Sequence, residues 1–175
     1  RWNWYGLSAF SLAYDISQGR EADVTRFLDW AATNGVTVVR VLTTAVGLFD
    51  LPPANGRTSA ERVLTLATER SLYTELVGLA DTAKRTFDHT DHLQRLGTLC
   101  QRYPSCLIEV ANEPNHPTQA KEVKDPNYLR NLQSIVKFVS VGTLVSLGAS
   151  HGPSDESQDY TGGDYVTVHG DRTGG

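Results

Sequence analysis

Hydrophobic positions along the chain alternate between a helical spacing and short β-branched runs, and the order of the two predicts helices that feed strands. Val24, Phe27, Leu28 and Ala31 share one helical face and Asn34-Gly35 supplies a left-handed stop, which predicts a helix over residues 21–33. The run 36–42, interrupted only by Thr37 and Arg40, predicts a strand buried on both faces. Thr58 and Glu61 have capping-box spacing, so a second helix is expected from there to about residue 70, followed by a strand at 72–79. Leu93, Leu96, Leu99 and Cys100 mark a third helix over 91–102; Pro104 blocks its continuation and 106–110 forms the next strand. Asp125 is a natural N-cap with Pro126 at the first helical position. Leu129, Leu132, Ile135, Val136 and Val139 form the buried stripe of that helix, ahead of Gly142 and a strand at 143–147.

Strands at 5–10 and 165–169 complete a predicted set of six, most of them separated by helices. Such an order argues for an α/β protein with a parallel sheet and right-handed crossovers. Residues 149–163 are too rich in Gly, Ser, Asp and Pro for a packed helix, so an irregular crossover is expected there. An open doubly wound sheet and a closed barrel both satisfy the order. Gly6-Leu7-Ser8-Ala9 lacks the glycine pattern of a phosphate-binding turn, which counts against a nucleotide-binding doubly wound sheet.

Composition narrows the partners. The 175 residues carry 16 Lys and Arg against 20 Asp and Glu, a net charge of −4 that offers no basic stripe for phosphates; nucleic acid is not an expected partner. No apolar run approaches the roughly 20 residues of a spanning helix, so no membrane insertion is expected. Without any Met, and opening on Arg1-Trp2-Asn3-Trp4, the chain reads as an internal segment of a longer protein, with neighbouring domains or assembly partners to be expected. Cys100 and Cys106 flank a helix-to-strand connection, where a local disulfide and two buried thiols are both compatible with the spacing.

The sharpest chemical feature is Ile108-Glu109-Val110-Ala111-Asn112-Glu113-Pro114-Asn115, an apolar strand that ends in a polar cluster and is stopped by proline. In a barrel, reacting groups sit at the C-terminal ends of strands, and Glu113 occupies such a position. A carboxylic acid partly desolvated at a barrel mouth can keep its proton towards neutral pH and deliver it to a departing glycosidic oxygen.

In these residues the chain resembles the clan A glycoside hydrolases, the cellulase and mannanase type of (β/α)₈ TIM barrel, whose fourth strand ends in Asn-Glu, often followed by Pro. The resemblance implies that residues 1–175 form a partial catalytic domain, roughly three quarters of a barrel of about 250 residues, cut before strand seven. It implies Glu113 as general acid/base, Asn112 as a hydrogen-bond partner of the sugar 2-hydroxyl, Arg40 as the arginine of the second strand, and His169 as a sixth-strand histidine, although Gly170-Asp171 replace the aromatic residue that often follows it. The nucleophile of a retaining mechanism belongs to strand seven and is expected beyond Gly175. The expected activity is hydrolysis of a poly- or oligosaccharide, with carbohydrate as partner, no cofactor, and an extracellular or surface-associated setting.

Blander readings stand beside these. Glu113 can be a loop carboxylate without chemistry, Arg40 can simply pair with Glu75 or Glu109 inside the sheet, and His169 can be a hydrogen-bonded strand-end histidine. Glu109 faces away from Ile108 and Val110 and reads as a structural partner. His89 and His92 have a spacing that a metal could use, but an exposed polar helix entry explains them, and no metal is expected. Trp4, like Trp2 and Tyr5, offers a platform for a sugar ring or packs in the core, and Trp30 reads as structural. His116 and Gln119 after strand four, and Asp81 and Thr82 after strand three, are loop candidates for substrate contact. The alternative function is a carbohydrate-binding or structural barrel without chemistry.

Overall fold

Five strands, all parallel, lie in the sequential order β1-β2-β3-β4-β5 in the computed structural model, which describes residues 4–150 and 160–167. They are β1 (Gly6–Ser8), β2 (Val38–Leu42), β3 (Tyr73–Leu79), β4 (Cys106–Ala111) and β5 (Leu144–Ser146). The helices are α1 (Leu12–Ser17), α2 (Glu21–Thr33), α3 (Pro53–Thr68), α4 (His89–Cys100) and α5 (Pro126–Val139).

This order separates the two architectures that periodicity leaves open. A doubly wound sheet reverses its strand order at a switch point, whereas sequential neighbours joined by crossovers of one hand keep every helix on the same face and curl the sheet towards a barrel. The side chains agree. Val39, Val41, Leu76, Ile108, Val110 and Val145 join one buried cluster with the helix residues Leu28, Leu64, Leu93, Leu96, Leu129 and Leu132. Each such leucine contributes about 1.5–3 kcal/mol by leaving water. The alternate positions turn to the inner face, where Leu42 and Val77 sit in a smaller cluster with Ala45, Ala80 and Phe10. Arg40, Glu75 and Glu109 share that parity.

Helix starts follow local chemistry. Asp125 accepts from the Asn127 amide at 2.9 Å and Pro126 opens α5, as its sequence implies. The capping box expected at Thr58 is absent: α3 begins a full turn earlier because Pro52 is extended and Pro53 fits the first helical position, so Thr58 lies inside the helix and donates to the Ala54 carbonyl at 3.2 Å. α4 likewise starts earlier than the expected residue 91, at His89; it is capped by Asp88, whose side chain accepts from Asp91 N. The short α1 is too brief for its periodicity to stand out. No strand forms at 165–167; Asp164 instead accepts from the Val145 amide at 2.9 Å, and Thr167 meets Ser146 at 2.9 Å. His169 lies outside the described residues.

Cys100 and Cys106 are joined in a disulfide that ties the end of α4 to the start of β4, with Cα atoms 5.2 Å apart. No helix among the described residues is long and apolar enough to cross a membrane.

Candidate active site

β4 carries the core of the site. Its last residue is Ala111, and the chain turns at once: Glu113 adopts φ 43°, a left-handed conformation that costs a residue with a side chain about 1–3 kcal/mol and therefore needs outside support. That support is visible. The amide of Asn112 donates to Leu79 O at the end of β3 (2.9 Å), and the amide of His116 donates back to Glu113 O (2.9 Å). Pro114 is buried against Gly148 beyond β5, where a Cβ would lie 2.2 Å from Ala111 O and 3.0 Å from the proline ring, so only glycine allows the approach. Glu113 itself is half-buried at this strand end.

Beneath it lies a buried charged cluster. Arg40 on β2 donates from Nε and Nη2 to the two carboxylate oxygens of Glu109 at 2.7 and 2.6 Å, and from Nη2 to Asn112 Oδ1 at 3.0 Å. Glu75 Oε2 stands 3.6 Å from Arg40 Nε, and the Phe10 ring centroid lies 5.1 Å from the guanidinium carbon. Burial works against the charge on Arg40, but hydrogen bonding and proximity to Glu109 outweigh it, with Glu75 adding to the effect, and its pKa is raised. For Glu75 burial dominates and pushes the carboxyl up, against the opposing pull of the Tyr165 hydroxyl and Arg40. Tyr165 OH donates to Glu75 Oε1 at 2.7 Å and lies 3.1 Å from Ile108 O, so its segment crosses the inner face of the sheet.

The loops after β3 and β4 are tied together. Gln119 is buried; its Oε1 accepts from Thr82 Oγ1 at 2.8 Å, and its Nε2 donates to Asn112 O. Asp81, with φ 54°, accepts from Val46 N at 3.1 Å and thereby holds the loop after β2. His116 stays on the turn after Glu113, with Nδ1 2.8 Å from Thr118 Oγ1.

Of the residues proposed from sequence, the structure brings together Arg40, Asn112 and, next in the chain, Glu113 and His116. Trp4 is brought to Arg40 but not to the strand end. It lines an inner-face cleft with Gly6, Val38, Arg40, Glu75 and Thr167, its ring 6.0 Å from that of Tyr165; but it precedes β1 whereas Glu113 follows β4, and in a parallel sheet these are opposite ends. The histidines of α4 depart from expectation in another way. They are not an exposed helix entry: His92 is fully buried between Thr43 Oγ1 (3.0 Å) and Arg57 Nη1 (2.9 Å), and His89 meets the Tyr128 hydroxyl at 3.0 Å, because their helix face is the one that packs inward. Among the described residues no three His, Cys, Asp or Glu side chains gather to hold a metal ion. Phe10 and Tyr165 were not foreseen; Tyr165 lies 90 residues from Glu75, and no local pattern announces that contact.

The architecture has known counterparts. The exo-β-1,4-mannosidase Op5Man5 from Opitutaceae bacterium strain TAV5 superposes with a TM-score of 0.67 at 17% identity, covering 97% of this chain and 38% of that one. A GH5_18 structure from Streptomyces cattleya in complex with GlcNAc gives 0.62 at 18% identity, over 85% of this chain and 44% of that one. The hyperthermostable endo-1,4-β-D-mannanase from Thermotoga petrophila RKU-1 gives 0.59 at 14% identity, over 83% and 55%. The chain thus spans between 38% and 55% of the length of these three structures. No family model and no curated protein sequence matches it. At such identities the likeness establishes the fold, part of a (β/α)₈ barrel of the kind found in glycoside hydrolases.

Proposed function

We propose that this chain is part of a retaining glycoside hydrolase acting on a poly- or oligosaccharide, with Glu113 as general acid/base. The observation that carries the reading is the 3.0 Å contact between Arg40 on β2 and Asn112, the residue immediately before Glu113, at the C-terminal end of the sheet. Barrel enzymes place their reacting groups at that end. Solved structures of similar fold include a β-mannosidase and a β-mannanase, which favours β-linked mannosides and related glycans as the substrate class.

In this mechanism Glu113 gives its proton to the glycosidic oxygen while a carboxylate beyond Gly175 attacks the anomeric carbon, and the sugar becomes covalently attached as the leaving alcohol departs. Glu113, now ionised, takes a proton from water, and the resulting attack releases the sugar and restores both groups. Asn112 binds the 2-hydroxyl. The Cys100–Cys106 disulfide favours an oxidising, extracellular setting.

The test uses the full-length protein. Glu113→Gln is expected to lower kcat on oligosaccharides by about 10²–10⁴-fold, with a smaller loss on 4-nitrophenyl glycosides, whose leaving group needs little protonation. Unchanged turnover of oligosaccharides by the variant would remove Glu113 from the role. Sugar binding without any turnover in the wild type would favour a non-catalytic carbohydrate-binding barrel instead.

A further inference from the structure

We propose that Glu109 is a positioning residue of the sugar site: acting through Arg40, it sets the polarity of the Asn112 side-chain amide, so that Asn112 presents the sugar with a hydrogen-bond donor. The proposal rests on the glycosidase reading of the same site and adds to it a residue whose role is indirect.

A guanidinium has only donors, so the amide atom that meets Arg40 Nη2 at 3.0 Å must be the oxygen of Asn112. The nitrogen, with two hydrogens, then points away from Arg40. A loop asparagine ordinarily turns its amide over at little cost, but here Arg40 opposes that by donating to Oδ1. Two backbone bonds, Asn112 N–H to Leu79 O at 2.9 Å and Gln119 Nε2 to Asn112 O, fix the main chain from which the side chain reaches Arg40. Turning the amide would set NH₂ against a cation that can accept nothing.

Arg40 in turn needs a fixed plane. Glu109, fully buried on β4, supplies it by engaging Nε and Nη2 with both oxygens, a fork that permits one orientation of the guanidinium. Glu75 does not substitute for it, because it stands 3.6 Å from Nε and is engaged by the Tyr165 hydroxyl. The chain of control therefore runs from Glu109 to Arg40 to Asn112. A sugar 2-hydroxyl that accepts from Asn112 keeps its own hydrogen to donate to another group, such as a carboxylate.

The experiment compares 4-nitrophenyl β-D-mannopyranoside with its 2-deoxy counterpart, using full-length wild type, Glu109→Gln and Asn112→Asp. In Glu109→Gln an amide replaces the fork and Arg40 loses its fixed plane. The expected result is a drop in kcat/KM of about tenfold or more on the mannoside, the scale of one hydrogen bond, with less than about twofold change on the 2-deoxy substrate. Equal losses on both substrates would mean a merely structural role and would overturn the proposal. Asn112→Asp keeps a partner for Arg40 but removes the donor, so it should abolish discrimination between the two substrates; wild-type discrimination in this variant would show the amide polarity to be wrong, even if Glu109→Gln fails to fold. If the wild type hydrolyses no glycoside, the glycosidase reading fails separately, and the nitrogen-15 side-chain amide resonance of Asn112 reports the positioning alone. It should move in Glu109→Gln and stay in Glu75→Gln, and an unmoved resonance in Glu109→Gln would overturn the proposal.

Discussion

His92 shows how one side chain reports the packing around it. Thr43 Oγ1 donates to Val77 O at 2.8 Å, so it accepts from His92 Nε2, and the bare Nδ1 faces the donor Arg57 Nη1. Burial first, and then the charge of Arg57, press the pKa of His92 down to about 3. Because the folded value lies below the ordinary 6.5, the neutral ring's contribution is complete above pH 6.5 and is lost as pH falls towards 3. Each pH unit in that window costs about 1.4 kcal/mol from this group. Urea unfolding at pH 4 to 7 should show His92→Gln with a flatter dependence than wild type, and an unchanged slope would contradict the buried neutral ring. The polar cluster at 112–113 was legible as a strand-end motif, and the sequence suggested Glu75 or Glu109 as partner for Arg40. The bidentate choice of Glu109 was not legible, since side-chain reach across three strands leaves no trace in spacing.

Elements with long, periodic apolar faces were legible almost to the residue, as for α2 over Glu21–Thr33 and α5 behind Asp125-Pro126. Misreadings fell where two local signals compete. In α3, Thr58 and Glu61 mimic a helix entry, while Pro53 is the true one. Gly56 in the same helix shows what tertiary contact demands. Alanine there would gain about 1 kcal/mol of helix propensity, yet its Cβ would fall 1.7 Å from the Thr43 carbonyl oxygen, a backbone atom that cannot swing aside. Overpacking of this kind costs about 1–3 kcal/mol or more, so Gly56→Ala is expected to lower the unfolding midpoint. Gly142→Ala, which has open space around it, serves as the control. Equal midpoints for the two variants would refute the close approach of α3 to the end of β2.

At the scale of the molecule, the barrel was decided by strand order, which hydrophobic pattern cannot encode because helix and strand periods are the same in both parallel architectures. Among the described residues the sheet ends at β1 and β5. Asp164 covers the β5 edge by bonding both the amide and the carbonyl of Val145, whereas β1 has a strand on one side only, with Trp4 about half exposed just before it. An unpaired parallel edge is a template for association. Residues 1–175 expressed alone should therefore self-associate as concentration rises, with a light-scattering mass above the 19.2 kDa of one chain; a stable monomer at high concentration would show that the β1 edge is shielded.

β4 is gripped at both extremities, by the Cys100–Cys106 bond at its foot and by Arg40 on Glu109 and Asn112 near its top. A slide of this strand by a single residue would point Ile108 or Val110 at the guanidinium and drive a bare carboxylate among the helices. The strand is thus locked like a keyed shaft, and the carboxyl group of Glu113 inherits its place from a latch that acts several residues away.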